Sequence, residues 1–148
     1  MRPFATTATK FAHSGLPRSA YVHLPFCRSR CNYCDFSVVT VGTNRRLESD
    51  AFAAEYASVV QRETTREWER TKRLLEDRDT STTNLKTVYF GGGTPSLLAA
   101  KEIATLLEHI DATFGLAADC EITLECDPGT FDRGKLRSYV KNIDNDIF

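Results

Sequence analysis

The sequence predicts an α/β domain in which the strands form a parallel sheet. After residue 20, three extended segments alternate with three helical segments, and this order is typical of β/α units. Each extended segment ends in an unusual stretch, which is a cysteine-rich loop, a run of three glycines or an Asp-Pro-Gly turn. Because the carboxyl ends of parallel strands lie at one edge of the sheet, where ligands bind, these stretches predict one shared site.

The composition is that of an ordinary globular chain. It has 148 residues, 41% of them hydrophobic and 26% charged, which fits one domain. The formal net charge of −1 indicates neither nucleic acid nor an anionic membrane as a partner. No apolar run approaches the roughly 20 residues that a membrane helix needs, so no membrane span is expected.

Residues 1–19 differ in composition from the rest of the chain. They contain Arg2, Lys10 and Arg18, several hydroxyl residues and no acidic residue. This composition is typical of a transit peptide, and a disordered extension is the alternative interpretation. The expected location is therefore an organelle, either a mitochondrion or a plastid, with the cytoplasm as the alternative.

The three strands are predicted from short runs with strand-like composition. "AYVHLPF" (20–26) is closed by Pro25 and the cysteine loop. "LKTVYF" (85–90) is rich in β-branched and aromatic residues and stops at three glycines. "CEITLEC" (120–126) alternates strictly between apolar and polar residues and stops at the Asp-Pro-Gly turn.

Alternation along the first and third strands gives each of them a polar face and an apolar face. Tyr21 and His23 share the polar face of the first strand. Glu121, Thr123 and Glu125 share the polar face of the third. The apolar faces hold Val22, Leu24, Ile122 and Leu124, together with Cys120 and Cys126, which are therefore interpreted as packing residues. We expect the apolar faces to contact the helices and the polar faces to line the inside of a curved sheet.

The helices are predicted between and after the strands. The segment 99–114 has the periodicity of one apolar face. That face is formed by Ile103, Leu106, Leu107, Ile110 and Phe114. The segment 47–76 is longer and highly charged, and its second half is expected to be a solvated extension. Its narrower apolar stripe is formed by Phe52, Tyr56, Val59 and Val60. The last helix, 131–142, is weakened by Gly134.

Three cysteines, Cys27, Cys31 and Cys34, have the spacing C-x3-C-x2-C. An iron–sulfur cubane takes four thiolates in a ferredoxin, so three thiolates leave one iron open for another ligand. A zinc site made of these cysteines and His23 is a chemically sound alternative, although a second C-x2-C hairpin is missing. A buried group of structural cysteines is the remaining alternative.

Two other segments are candidates for ligand contact. "GGGTPS" (91–96) lacks the lysine of a phosphate loop, but glycines after a strand let a ligand approach bare backbone. Glu125 is expected to face inward at the end of its strand, where its carboxylate accepts hydrogen bonds from an amino group or a ribose hydroxyl. A tight turn and a solvated glutamate are the alternative interpretations.

Three stretches together, "YVHLPFCRSRCNYCDF", "VYFGGGTPSLL" and "EITLECDPGT", resemble one family. This is the family of radical S-adenosylmethionine proteins of the oxygen-independent coproporphyrinogen III oxidase type, and the resemblance covers about residues 20 to 139. It implies a [4Fe–4S] cluster whose open iron chelates S-adenosylmethionine. In this family an electron from the cluster cleaves the sulfonium and generates a 5′-deoxyadenosyl radical.

The resemblance also implies roles for individual residues. Cys27, Cys31 and Cys34 match the cluster ligands. Residues that match positions in contact with S-adenosylmethionine are Tyr21, Tyr33, Gly92, Gly93, Thr94 and Glu125.

Within this family the chain is most similar to the haem chaperone HemW branch. True oxidases have a further cysteine two residues after the third, whereas this chain has Asp35 and Phe36 after Cys34. The resemblance therefore implies haem binding and haem delivery to client haemoproteins. A porphyrin-forming radical enzyme of the oxidase type and a non-catalytic zinc-bound module are the alternatives, and whether the chain is an enzyme stays open.

The resemblance further implies a partial (β/α) radical SAM barrel of six units. Three β/α units are predicted here, so residues 20–148 are interpreted as the N-terminal part of a truncated core domain. Half of such a barrel is expected to leave a sheet edge and an apolar helix face uncovered.

Overall fold

The computed structural model describes residues 16–43, 51–75 and 84–147, with side chains described as far as residue 141. Its strands are β1 (Ser19–Leu24), β2 (Phe26–Cys27), β3 (Val39–Thr40), β4 (Leu85–Gly92) and β5 (Leu116–Leu124). Its α-helices are α1 (Ala51–Leu74), α2 (Ala100–Phe114) and α3 (Arg133–Ile147). A short 3₁₀ helix, Pro95–Leu97, lies between β4 and α2. The interpretation of residues 1–15 as a transit peptide or extension lies outside the described residues.

The main sheet has the strand order β1-β4-β5, and both pairings are parallel. Tyr21 of β1 lies opposite Tyr89 of β4, which in turn lies opposite Thr123 of β5. The chain enters β4 through α1 and β5 through α2, as expected for β/α units. The predicted parallel α/β architecture is therefore confirmed for the described residues.

The core lies between one face of this sheet and the helices. Val22 and Leu24 of β1 and Val88 and Phe90 of β4 are buried in it. The apolar face predicted for α2 is confirmed, because Ile103, Leu106, Leu107 and Ile110 are buried and Phe114 packs against them. The opposite face of the sheet carries the more exposed side chains, including Tyr21 and Tyr89, as the alternation predicts.

The stripe predicted for α1 is partly wrong. Its buried positions are Ala53 and Ala57, with Tyr56 half-buried, whereas Val59 is exposed. Phe52 and Tyr56 of the predicted stripe do contact the buried ring of Phe26, with ring centroids 5.7 and 5.2 Å apart. Trp68 of α1 packs edge-on against Phe114 of α2, with ring centroids 5.1 Å apart.

A small second sheet supports the cysteine loop. Strands β2 and β3 are parallel, with Phe26 opposite Val39 and Cys27 opposite Thr40. Val39 N–H donates to the carbonyl of Pro25 at 2.8 Å, and Val41 N–H donates to the carbonyl of Cys27 at 2.8 Å. The loop between residues 28 and 38 is therefore closed at its base by backbone hydrogen bonds. The sequence pattern did not indicate this pairing.

Within the described ranges, no helix is both long and apolar enough to cross a lipid bilayer.

Candidate functional site

The three unusual stretches meet at one cavity of about 630 Å³ beyond the carboxyl ends of the main strands. That volume is within the range of small-molecule and cofactor sites. Its lining includes all three cysteines of the motif, Tyr33, Gly92, Gly93, Thr94 and Glu125. The convergence of the three stretches on one rim, which the strand order predicts, is therefore confirmed.

The cysteine loop presents its thiols on a folded turn. Cys34 N–H donates to the carbonyl of Cys31 at 3.1 Å, which tightens the second half of the motif. Arg30 Nη2 donates to the carbonyl of Cys34 at 3.1 Å and bridges the same turn. Arg30 is exposed to solvent, and its hydrogen bond stabilises the loop.

The glycine loop lies directly against the start of the cysteine loop. Gly93 N–H donates to the carbonyl of Leu24 at 2.8 Å, and Thr94 N–H donates to the carbonyl of Phe26 at 2.7 Å. A Cβ on Gly93 would lie 2.6 Å from the carbonyl oxygen of Phe26, so this approach requires glycine. Thr94 Oγ1 also lies 3.8 Å from Cys27 Sγ. The two loops therefore form one continuous wall of the cavity.

Glu125 is held by two donors at the end of β5. The phenol of Tyr89 donates to Glu125 Oε1 at 2.6 Å, and Gly92 N–H donates to Oε2 at 3.2 Å. The hydrogen bond to Glu125 is the main reason that the pKa of Tyr89 is raised above its usual value. The phenol therefore stays protonated and acts as a donor at neutral pH.

Tyr21 does not line the cavity and lies below it on the polar face. Its ring stacks on that of Tyr89 with centroids 6.0 Å apart. Its hydroxyl lies 3.1 Å from His23 Nδ1. His23 Nε2 lies 2.9 Å from the carbonyl oxygen of Ser37, which can only accept, so the proton is assigned to Nε2.

Tyr33 is the most exposed of the residues that the sequence marked. It is 89% exposed at the open side of the cavity. A hydrogen bond with Cys31 is the main reason that the pKa of the Tyr33 phenol is raised. Tyr33 and Cys31 are therefore neighbours at the mouth of the site.

A buried hydroxyl pair joins the glycine loop to the turn after β5, and sequence reasoning missed it. Ser96 Oγ is hydrogen-bonded to Thr130 Oγ1, and Asp127 N–H donates to Ser96 Oγ at 3.0 Å. Ser96 is fully buried, and Thr130 Oγ1 also donates to the carbonyl of Asp127 at 2.7 Å. Nothing in the sequence pattern distinguishes these hydroxyls from ordinary loop residues.

Tyr89 is another residue near the site that sequence reasoning missed, although strand alternation could have indicated it. Alternation in "TVYFGG" places Tyr89 opposite the buried Val88 and Phe90, on the same face as Tyr21. Register then brings its hydroxyl to Glu125, thirty-six residues away in the chain.

The donor set fits an iron–sulfur cluster better than a single zinc ion. The cavity lining offers three thiols, whereas Cys120 and Cys126 lie outside it. The alternative zinc site would need His23 as its fourth ligand, and both ring nitrogens of His23 have partners. A cluster with one open iron takes three thiolates, each on a different iron.

The interpretation of the two remote cysteines is half right. Cys120 is partly buried and packs against the core as expected. Cys126 is exposed, so the prediction that it packs is wrong. The reason is that β5 ends at Leu124, and the strict alternation does not continue into the turn.

Comparisons with known proteins agree with this arrangement. A family model described as the Radical SAM superfamily matches residues 21–147. The haem chaperone HemW of Synechocystis is 41% identical over 128 residues, which is 86% of this chain and 28% of that protein. The mitochondrial radical S-adenosyl methionine domain-containing protein 1 of Bos taurus is 33% identical over 127 residues, covering 84% of this chain and 25% of that protein.

One solved structure has the same fold. It is the coproporphyrinogen III oxidase HemN of Escherichia coli, described as a radical SAM enzyme, with a TM-score of 0.63 and 24% identity. The match covers 85% of this chain and 26% of that chain. The expected partial radical SAM barrel is thereby confirmed as the fold, and this chain spans between a quarter and a third of the length of these proteins.

Proposed function

Because the chain belongs to the radical SAM superfamily, we propose that it binds a [4Fe–4S] cluster and S-adenosyl-L-methionine in the cavity described above. The observation that carries this proposal is that three thiols, a glycine loop and Glu125 line the same space. Cys27, Cys31 and Cys34 hold three irons and leave the fourth open. When bound, the cluster supplies the electron that cleaves the sulfonium of S-adenosylmethionine.

The charges of the lining support a cationic ligand. Of the described residues, Asp35, Glu125 and Asp127 line the cavity with carboxylates, and Arg28 lines it with a guanidinium. S-adenosylmethionine carries a sulfonium and an ammonium group against one carboxylate, so this excess of acidic side chains favours it.

The roles of the other residues follow from their positions. Glu125 accepts a hydrogen bond from the amino group or a ribose hydroxyl of the ligand. Gly92, Gly93 and Thr94 offer a backbone surface that the ligand contacts closely, and Tyr33 covers the open side. Tyr21 stacks on Tyr89 below the cavity. Its match to a family position supports contact with S-adenosylmethionine.

Anaerobic reconstitution with iron and sulfide tests the cofactor proposal. We expect about four irons per chain, an iron–sulfur absorption band, and a change in the electron paramagnetic resonance spectrum of the reduced cluster when S-adenosylmethionine is added. Stoichiometric zinc binding with no iron–sulfur chromophore would instead support the zinc-bound module.

We further propose that the complete protein is a haem chaperone of the HemW type, delivering haem to client haemoproteins. The similarity to HemW supports this, as does Phe36 at the position where the oxidases have a further cysteine. Transfer of haem from the full-length protein to an apo-haemoprotein, followed by the Soret absorption of the recipient, is the test.

The second candidate is a radical enzyme of the coproporphyrinogen III oxidase type, which the fold of HemN favours. Formation of 5′-deoxyadenosine together with decarboxylation of coproporphyrinogen III would support it. A protein that binds S-adenosylmethionine without cleaving it would instead use the ligand to regulate haem transfer.

For location we propose an organelle. The basic, acid-free composition of residues 1–19 and the mitochondrial relative support a mitochondrion, and a plastid is equally consistent with that composition. A fluorescent fusion with and without residues 1–19 distinguishes these locations from the cytoplasm.

A further inference from the structure

Tyr89 does not line the cavity, but its hydroxyl bonds Glu125, which does. Its hydroxyl donates to Glu125 Oε1 at 2.6 Å, while the backbone N–H of Gly92 donates to Oε2 at 3.2 Å. Each carboxylate oxygen therefore has one protein donor, and this fixes the plane of the carboxylate. Each oxygen keeps lone-pair capacity for a ligand.

The ring of Tyr89 is itself held in place. It stacks on Tyr21 with an interplanar angle of 26°. A Cβ at position 91 would lie 2.6 Å from the Tyr89 ring and 3.1 Å from the Tyr21 ring, so the absence of a side chain at Gly91 makes room for both rings. The first glycine of the loop thus has a steric role distinct from that of Gly93.

The surroundings of the Tyr89 hydroxyl favour a role at the cavity over a purely structural role. Tyr89 is 39% exposed, and its hydroxyl bonds the carboxylate at the cavity rather than the backbone. By contrast, the hydroxyl of Tyr56 donates to the backbone carbonyl of His23 at 2.9 Å, and Tyr56 does not line the cavity.

We propose that Tyr89 is a positioning residue that orients the Glu125 carboxylate toward a hydrogen-bond donor of S-adenosylmethionine. This inference rests on the proposed function. An ordered carboxylate accepts the ligand's donor without first losing side-chain freedom, so pre-orientation strengthens binding. A free Glu125 would have to be ordered by the ligand.

Four forms of the reconstituted full-length protein test this proposal: wild type, Tyr89→Phe, Glu125→Ala and the double variant. We expect Tyr89→Phe to weaken S-adenosylmethionine binding by about threefold to tenfold with cluster content unchanged, because one hydrogen bond to the carboxylate is lost. In the Glu125→Ala background, Tyr89→Phe should change affinity by less than about twofold, because its effect passes through Glu125. Tyr56→Phe removes a phenol outside the site and should leave affinity unchanged.

The electron paramagnetic resonance spectrum of the reduced cluster provides a second measurement. A loss of protein stability alone would not change its response to S-adenosylmethionine. In Tyr89→Phe, the spectral change caused by S-adenosylmethionine should need a higher ligand concentration, by the same factor. An analogue of S-adenosylmethionine without the amino group distinguishes the two possible donors to Glu125. If the amino group is the donor, Tyr89→Phe leaves the affinity for the analogue unchanged. If a ribose hydroxyl is the donor, Tyr89→Phe weakens binding of the analogue as well.

These experiments test the positioning role of Tyr89 separately from the proposed binding of the cluster and S-adenosylmethionine. Wild-type affinity in Tyr89→Phe, or an equal loss in both backgrounds, overturns the positioning role while the proposed function stands. A wild-type protein that binds no cluster or no S-adenosylmethionine overturns the proposed function and this inference together.

Discussion

At the scale of single residues, the cavity combines side chains with different tasks. In the proposed site the thiols would provide metal ligands and Glu125 an acceptor, and the glycines expose bare backbone to the cavity. Sequence spacing indicated most of these residues, because the motifs are local. It did not indicate Tyr89, whose role depends on a contact with a distant strand.

Cys31→Ala should abolish cluster binding. The variant leaves two thiolates, which cannot hold a cubane with one open iron. Iron and sulfide quantitation after anaerobic reconstitution measures the effect. Cys126→Ala is the matched control, because that thiol is exposed outside the cavity and should leave cluster content unchanged. Normal iron content in Cys31→Ala would refute the ligand assignment.

Glu125→Ala should weaken S-adenosylmethionine binding and leave the cluster in place. Loss of a charged hydrogen bond costs roughly 1.5–3 kcal/mol, which is about a tenfold to hundredfold change in affinity. Calorimetric titration of the reconstituted protein measures it. Glu121→Ala is the control, because Glu121 lies on the same face of β5 but does not line the cavity. Equal affinities for the wild type and Glu125→Ala would remove Glu125 from the site.

At the scale of elements, the site depends on how loops are tied to one another. The small β2–β3 sheet closes the cysteine loop, and backbone hydrogen bonds join the glycine loop to it. The buried hydroxyls of Ser96 and Thr130 join the glycine loop to the turn after β5. Three loops that are far apart in the chain are thus held as one unit.

Ser96→Ala should destabilise this unit. The substitution removes the acceptor of Asp127 N–H and the partner of Thr130 in a buried setting, which costs about 1–3 kcal/mol in the free energy of unfolding. Chemical denaturation of the apo-protein measures the loss. Ser58→Ala is the control, because that hydroxyl is exposed and bonds its own helix at Ala54. A loss no larger than that of the control would show that the link is dispensable.

At the scale of the whole molecule, the described elements form an open sheet. Among the described residues, β5 is hydrogen-bonded to a strand on one side, at β4. On α3, Leu136 is 44% exposed and Val140 is 54% exposed. Further β/α units of a longer radical SAM protein would cover such an edge and helix face, and unpaired edges promote association.

Residues 20–148 expressed alone should therefore be marginally stable, associate, and deliver no haem. Light scattering, thermal melting and haem transfer to an apo-haemoprotein measure these three properties. Val140→Lys should reduce association, whereas Leu74→Lys, on the exposed end of α1, should have little effect. A monomer with a sharp melt and measurable haem transfer would contradict this prediction.

The sequence was sufficient for the features that depend on neighbouring residues. Strand alternation predicted which side chains of β1 face the core, and helical periodicity predicted the buried face of α2. Strand order then predicted that the three special stretches meet at one rim. The stripe of α1 was partly wrong, because Val59 is exposed whereas Ala53 and Ala57 are buried.

Contacts between distant segments were decided by the tertiary structure. Tyr89 meets Glu125 across thirty-six residues and Ser96 meets Thr130 across thirty-four, so both contacts depend on strand register. A shift of one residue in register would turn every side chain of a strand to the other face, and local composition does not specify which register packs best. Register is selected when the apolar faces of the strands are buried against the helices. The polar partners of the candidate site are therefore a consequence of core packing.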